Sequence, residues 1–176
     1  IPAEKVQVVH NAIEDYWFEF APLAEHELLP PGVVFLGRLG EDAFTLKLKG
    51  VDRVIQLFKK LPHVRKDLFC ITQHKILPGW LSLAIPQTFF HQNILKEHLP
   101  PILAKRAGSA LFISSRYEGF SLSLIEGMSQ GLIPVSYPVG VAPEIIKNGE
   151  NGFLVHNQLE ALAAVEKILS LAASER

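Results

Sequence analysis

Residues 110–136 read ALFISSRYEGFSLSLIEGMSQGLIPVS, and this stretch decides the fold. Ala110-Leu111-Phe112-Ile113 is an apolar run of strand length with no alternation of polar and apolar residues. Such a strand is covered on both faces, as in a parallel sheet flanked by helices. Ser114 to Gly119 is mostly polar and reads as a loop. Ser121 to Gln130 reads as a helix stopped by Gly131, and Ile133 to Ser136 is a second apolar strand.

The same rhythm extends in both directions. Upstream, Val6 to Val9 is a short β-branched strand, and Val33 to Leu36 is another that ends at Gly37. Gly50 to Leu61 carries Val51, Val54, Ile55, Leu57 and Phe58 at helical spacing and is closed by Pro62. Leu68 to Thr72 and Thr88 to His91 read as strands. Between them, Lys75 to Pro86 fits either element, with a turn at Pro78-Gly79. Pro100 and Pro101 suit a helix start that Ile102 to Ala107 continues. Downstream come a short helix at Ala142 to Lys147, a strand at Phe153 to Val155 and an amphipathic helix at Leu159 to Leu171. The expected architecture is a Rossmann-like, doubly wound parallel sheet in three α/β/α layers, forming one domain over residues 1–176. Ligands of such sheets bind at the carboxyl ends of the strands, near the point where strand order reverses.

Composition narrows the function. The 176 residues are 48% hydrophobic and 20% charged, with 17 basic and 18 acidic side chains and a net charge of −1. That balance argues against nucleic acid or a membrane surface held by bulk charge, so any bound anion is gripped by a few placed groups. Cys70 is the single cysteine, which excludes an intrachain disulfide and fits a core residue in a reducing compartment. No run approaches the roughly 18 apolar residues of a membrane span. Ile1-Pro2-Ala3-Glu4-Lys5 is neither a signal peptide nor a start methionine, which suggests a piece of a longer protein. His10, His63, His91 and His98 show no metal-pair spacing and are expected on surfaces or loops. Trp17, Phe18 and Phe20 are expected to pack.

The chemistry concentrates after the strand at Ala110. A helix beginning near Ser121 offers free first-turn N–H groups and a positive dipole end, a site suited to phosphate. Glu118 stands in the preceding loop and Glu126 lies one to two turns into the helix. Carboxylates repel phosphate but accept paired hydroxyl donors, so the pair fits a ligand that carries sugar hydroxyls as well. Glu118 also fits a solvated loop residue, and Ser123 to Glu126 also fits a capping box.

Glu118-Gly119-Phe120-Ser121-Leu122-Ser123-Leu124-Ile125-Glu126 resembles the Glu, seven residues, Glu signature of the family-four retaining glycosyltransferases of the GT-B fold. Gly127 to Gly131, Ile133-Pro134-Val135, Val139 to Ile146 and Asn148 to Val155 are similar to the segments that follow in that family. Asn11, Phe35 to Leu39 and Lys49-Gly50-Val51-Asp52 are similar to its upstream elements. The resemblance implies a C-terminal donor-binding domain whose N-terminal acceptor domain is absent from this chain. Arg38 and Lys49 would neutralise the donor pyrophosphate and, with Glu118, form the catalytic group. Gly119, Phe120, Ser121 and Leu122 would hold the distal phosphate, and Glu126 the ribose. Apart from the resemblance, His91-Gln92-Asn93-Ile94 follows a strand and is placed to edge the nucleobase, with Gln92 and Asn93 as the expected contacts. The implied ligand is a nucleotide-diphosphate sugar, with no metal and no cofactor, since basic groups stand in for a cation. The implied reaction is hexose transfer to an acceptor hydroxyl with retention, in a cytoplasmic protein whose membrane contact, if any, belongs to the full-length enzyme. A nucleotide-sugar epimerase, a phosphorylase-type transferase and a non-catalytic nucleotide-binding module stand as alternatives.

Three departures from the family pattern bear on the site. Arg38 and Lys49 are eleven residues apart rather than about five, with Gly40 to Leu48 expected as a small hairpin, so Lys47 competes with Lys49 for the phosphate role. Thr72-Gln73-His74-Lys75 stands where a glycine-rich turn is usual. Ser121 replaces the usual glycine, which leaves a hydroxyl donor beside the phosphate site.

Overall fold

The strand–helix alternation is realised as one six-stranded sheet in the order β3-β2-β1-β4-β5-β6, all parallel. Its strands are β1 (Gly32–Arg38), β2 (Arg65–Ile71), β3 (Thr88–Gln92), β4 (Ala110–Ile113), β5 (Ile133–Ser136) and β6 (Phe153–Leu154). The helices are α1 (Ala43–Leu48), α2 (Val51–Lys60), α3 (Gly79–Ala84), α4 (Leu99–Ala104), α5 (Leu122–Ser129), α6 (Ala142–Ile145) and α7 (Gln158–Ser170). The computed structural model describes residues 5, 7–19, 23–40, 42–73, 79–172 and 175–176, without the side chains of residues 79 and 80.

Alternate residues of each strand feed two cores, one on each face. Val33, Phe35, Leu68, Cys70 and Phe112 pack under α2 and α7, against Val54, Leu57, Phe58, Val165 and Ile168. Val34, Phe69, Leu111 and Ile113 pack on the other face under α4 and α5, against Leu103, Leu124 and Trp17. The unbroken apolar run of β4 is buried throughout for this reason. Asn157 caps α7 by accepting from the amides of Leu159 and Glu160, both at 3.0 Å. Asn157→Ala is expected to cost about 1 kcal/mol, read as a lower urea midpoint at unchanged slope.

Several expectations are corrected. Residues 7–9 form no strand, and Val8 and Val9 are 75% and 82% exposed. Valine favours extended backbone, but a strand needs a partner edge. This segment instead passes over the helices, where His10 meets Glu144 at 3.0 Å. Residue 6 lies outside the described residues. The expected hairpin at Gly40 to Leu48 is helix α1, because the Asp42 carboxylate accepts from the amide and hydroxyl of Thr45 and caps it. β2 begins three residues earlier than its apolar run, at Arg65 rather than Leu68. Its charged start is tolerated because Lys66, 2% exposed, donates to the Leu61 carbonyl at 2.8 Å, and Asp67 has cationic partners of its own. Gly79 to Ala84 resolves the described end of the ambiguous stretch as a helix, while residues 74–78 lie outside the described residues. α4 stops at Ala104, where Arg106 and Ala107 turn to i−3 bonding. Trp17 packs as expected, at 1% exposure, but Phe18 is 67% exposed. Phe20 lies outside the described residues.

Candidate active site

The sheet order reverses between β1 and β4, so their carboxyl ends splay open and leave a crevice. Phe35, Leu36 and Gly37 form one wall, and Ile113, Ser114 and Ser115 the other, with Lys49, Glu118 and Ser123 at the mouth. Gly50 explains how Lys49 comes to be there. It has φ +65°, and a Cβ on it would overlap the Ser114 carbonyl oxygen, so only glycine lets this turn close on the end of β4. The Lys49 carbonyl then accepts from the Ser114 hydroxyl at 2.7 Å, and Lys49 Nζ lies 2.8 Å from Glu118 Oε1. Ser115 Oγ donates to that same oxygen at 2.6 Å.

The loop after β4 is pinned from behind. Arg53 donates to the carbonyls of Ser114 and Ser115 at 3.0 and 3.1 Å while lying 3.6 Å over the Tyr137 ring. Arg116 grips Asp52 with two bonds of 2.7 and 2.6 Å, which holds the Asp52 carboxyl below its ordinary range. Lys47 is drawn away by the same arrangement. Its carbonyl accepts from Arg116, and it lines the surface between α1 and α2 rather than the crevice. Of the two lysines left open by the sequence, Lys49 therefore faces Glu118.

The loop Gly119–Phe120 rests on the next turn, where Val141 N donates to the Phe120 carbonyl at 2.9 Å. A Cβ on Gly119 would meet nothing within 4 Å, so the space above the loop is open. Ser121 is the N-cap of α5 and sits at φ +81°, a conformation disfavoured by about 1–2 kcal/mol for a residue with a Cβ. Its hydroxyl is buried and has no hydrogen-bond partner among the described residues. A capping box at Ser123 is excluded, because the helix already begins at Leu122 and Glu126 is engaged elsewhere.

Beside the crevice, on the α5 side of the sheet, lies a cavity of about 200 Å³. Its walls are mainly apolar: Leu36, Phe69, Ile71, Ile94, Leu99 and Leu122. Arg38, His91, Lys96, Ser123 and Glu126 supply the polar groups, and the Cys70 thiol, pushed up to about 11 by burial, forms part of the wall. Arg38 ends β1 and is exposed, and its guanidinium has no hydrogen-bonding partner among the described residues. Burial raises the Glu126 carboxyl above its ordinary value, and the ammonium of Lys96, 3.1 Å away, opposes that rise.

Gln92 and Asn93 do not line this cavity. Asn93, at φ +50°, accepts from Thr72 N at 3.0 Å and donates its amide to the Cys70 carbonyl, so it ties the ends of β2 and β3 together. His91 is the residue of that strand that reaches the cavity. It stacks on Phe69 at 4.2 Å and 10°, and it bonds Asp67 at 2.8 Å. Asp67, 2% exposed, also accepts from Arg65 at 2.7 and 3.1 Å and from Arg106 at 2.7 Å. These contacts hold its carboxyl far below the usual range against the opposing effect of burial. Neither Lys96 nor the Asp67 cluster carries a sequence signature. The one available signal for Lys96 was its position just past the carboxyl end of a strand.

Residues 81–176 match the family described as glycosyl transferases group 1. This chain belongs to that family. The group 1 domain is also 30% identical over 136 residues to a trehalose synthase from Pyrococcus horikoshii, covering 70% of this chain and 32% of that protein. Its fold is similar to the C-terminal domain of a glycosyl transferase group 1 family protein, LpcC, from Francisella tularensis. That likeness has a TM-score of 0.69 at 20% identity, over 91% of this chain and 89% of that one. It is also similar to the lipopolysaccharide outer core galactosyltransferase WaaB, with a TM-score of 0.70 at 19% identity, over 100% of this chain and 49% of that one. A sucrose-phosphate synthase from Thermosynechococcus elongatus matches with a TM-score of 0.66 at 22% identity, over 84% and 38%. The group 1 domain thus spans about a third of the length of the curated relative and less than half of two of these structures. Among the described residues, no three His, Cys, Asp or Glu side chains cluster to hold a metal, and no helix is long and apolar enough to cross a membrane.

Proposed function

We propose that this group 1 domain binds the nucleotide-diphosphate sugar of a retaining glycosyltransferase that moves a hexose to an acceptor hydroxyl. The observation that carries this reading is the placement of Lys49, Glu118 and Ser123 at the β1–β4 crevice, beside an apolar cavity whose polar groups include Arg38 and Glu126. In this reading the cavity takes the nucleobase and Glu126 the ribose hydroxyls. The amides of Phe120, Ser121 and Leu122 take the distal phosphate, and the Ser121 hydroxyl gains a partner there. Arg38 and Lys49 meet the diphosphate and the charge that grows on it as the glycosidic bond breaks, which is where placed cations lower a barrier most. Glu118 accepts sugar hydroxyls next to Lys49. With two cations at the phosphates, the leaving group needs no metal. The acceptor would be held by a second, Rossmann-like domain of the longer protein, and both the cytoplasmic setting and any peripheral membrane contact are properties proposed for that whole protein.

Calorimetric titration with UDP, GDP and ADP tests the reading. One of them is expected to bind, Glu126→Gln to weaken it about tenfold through loss of a charged hydrogen bond, and Glu166→Gln, on the outer side of α7, to leave it unchanged. Absence of heat from all three at millimolar nucleotide would remove the donor-site assignment.

A further inference from the structure

Lys96 bridges three parts of the chain. Its ammonium lies 2.8 Å from each carboxylate oxygen of Glu14 and 3.1 Å from Oε1 of Glu126. The ammonium donates to both oxygens of Glu14 and forms an ion pair with Glu126, so its charge is engaged by two protein carboxylates. Glu126 Oε2 has no partner among the described residues, in a side chain only 8% exposed that lines the cavity. Both sides of the bridge are anchored. Lys96 follows the Asn93 turn that ties β2 to β3. Glu14 precedes Trp17, which is buried against α5 and whose carbonyl accepts from Gln130 at 2.6 Å.

We propose that Lys96 is a positioning residue for Glu126: it grips one carboxylate oxygen so that the other faces the cavity as the acceptor for a ribose hydroxyl pair. This rests on the donor-site reading above. A carboxylate buried to this degree without a cation beside it favours the neutral acid, which has lost part of its acceptor capacity. Lys96 counters that preference. Of the other charged or titratable groups around the bridge, Glu14 acts on Glu126 directly, Tyr16 beside it acts on Glu14 and Lys96, and Arg38 at the end of β1, Cys70 on β2 and His91 on β3 line the same cavity as Glu126. Glu14 raises the Glu126 carboxyl, so removing Lys96 leaves burial and this repulsion unopposed. Ionisation of Glu126, and ribose binding with it, then shifts to higher pH.

The test titrates wild type, Lys96→Met and Lys96→Arg with whichever of UDP, GDP and ADP binds, and with its 2′,3′-dideoxy analogue, between pH 6 and 8.5. Lys96→Met is expected to weaken the ribonucleotide about tenfold at pH 6, the equivalent of one pKa unit, with recovery towards pH 8.5. Its affinity for the dideoxy analogue should stay at the wild-type value, and Lys96→Arg should restore the ribonucleotide. An equal loss for both ligands would overturn the proposal in favour of a general structural role or a direct phosphate contact. So would a Lys96→Met protein with wild-type affinity and pH profile, while leaving the donor site intact. A wild type that binds nucleotide but does not distinguish ribose from dideoxyribose would overturn the ribose role of Glu126 itself, and a wild type that binds none would overturn both readings.

Discussion

Asp67→Ala is expected to lower the stability of this domain by about 3–5 kcal/mol, the penalty of removing one partner from a buried ionic cluster. Asp67 accepts four bonds, two from Arg65 and one each from Arg106 and His91. Arg65 is partly exposed and can turn to water. Arg106 cannot: it is 5% exposed, its Nη1 goes to the Ile102 carbonyl, its Nη2 is left with only the His91 ring nitrogen at 3.3 Å, and its Nε already has no partner among the described residues. Removing the carboxylate strands that guanidinium inside the protein. The pH dependence has a definite sign. The native Asp67 carboxyl is held far below its unfolded value of about 4, so its contribution is complete above that value and fades as pH falls towards the native one. Urea unfolding of wild type and Asp67→Ala from pH 7 to pH 3 checks both points, and the gap between the two proteins should narrow towards the acid end. A gap below about 1 kcal/mol at pH 7 would mean that the cluster rearranges without its anion. Because Asp67 also holds His91 in the cavity wall, the same variant should bind nucleotide less tightly at temperatures where it is still folded.

Arg38→Ala is expected to weaken nucleoside diphosphate binding on the order of a hundredfold, the loss of a bidentate, charge-assisted grip on phosphate. Arg38 is suited to this because nothing else engages its guanidinium among the described residues, whereas Lys49 already faces Glu118. A guanidinium held in place by no protein carboxylate is free to turn to an anion. Titration with the diphosphate and with the parent nucleoside separates the causes: the variant should lose the diphosphate and keep whatever nucleoside affinity the cavity provides. Arg38→Lys should recover only part of the loss, since an ammonium makes a point contact rather than a fork. Equal affinity of wild type and Arg38→Ala for the diphosphate would place the phosphates elsewhere.

Much of this protein is written in local patterns. The apolar runs at Val33, Leu68, Ala110 and Ile133 and the helical spacing from Val51 to Phe58 determined a doubly wound parallel sheet, because burial on both faces demands such runs. The ends of β1 and β4 then placed Arg38 and Glu118 at one edge of it, since parallel strands share the same carboxyl edge. Charge and packing across long separations lay beyond any local pattern. The tertiary structure alone decided that Lys49 rather than Lys47 meets Glu118, because Gly50 docks on Ser114 and Arg116 draws the Lys47 carbonyl away. It alone turned Glu126 from a possible helix cap into one corner of a bridge with Lys96 and Glu14, and let β2 begin on three charged residues. Hydrophobic periodicity repeats within a few residues and is legible in one dimension. An ion pair between residues 82 apart has no period, and it exists only once the sheet has brought its partners together.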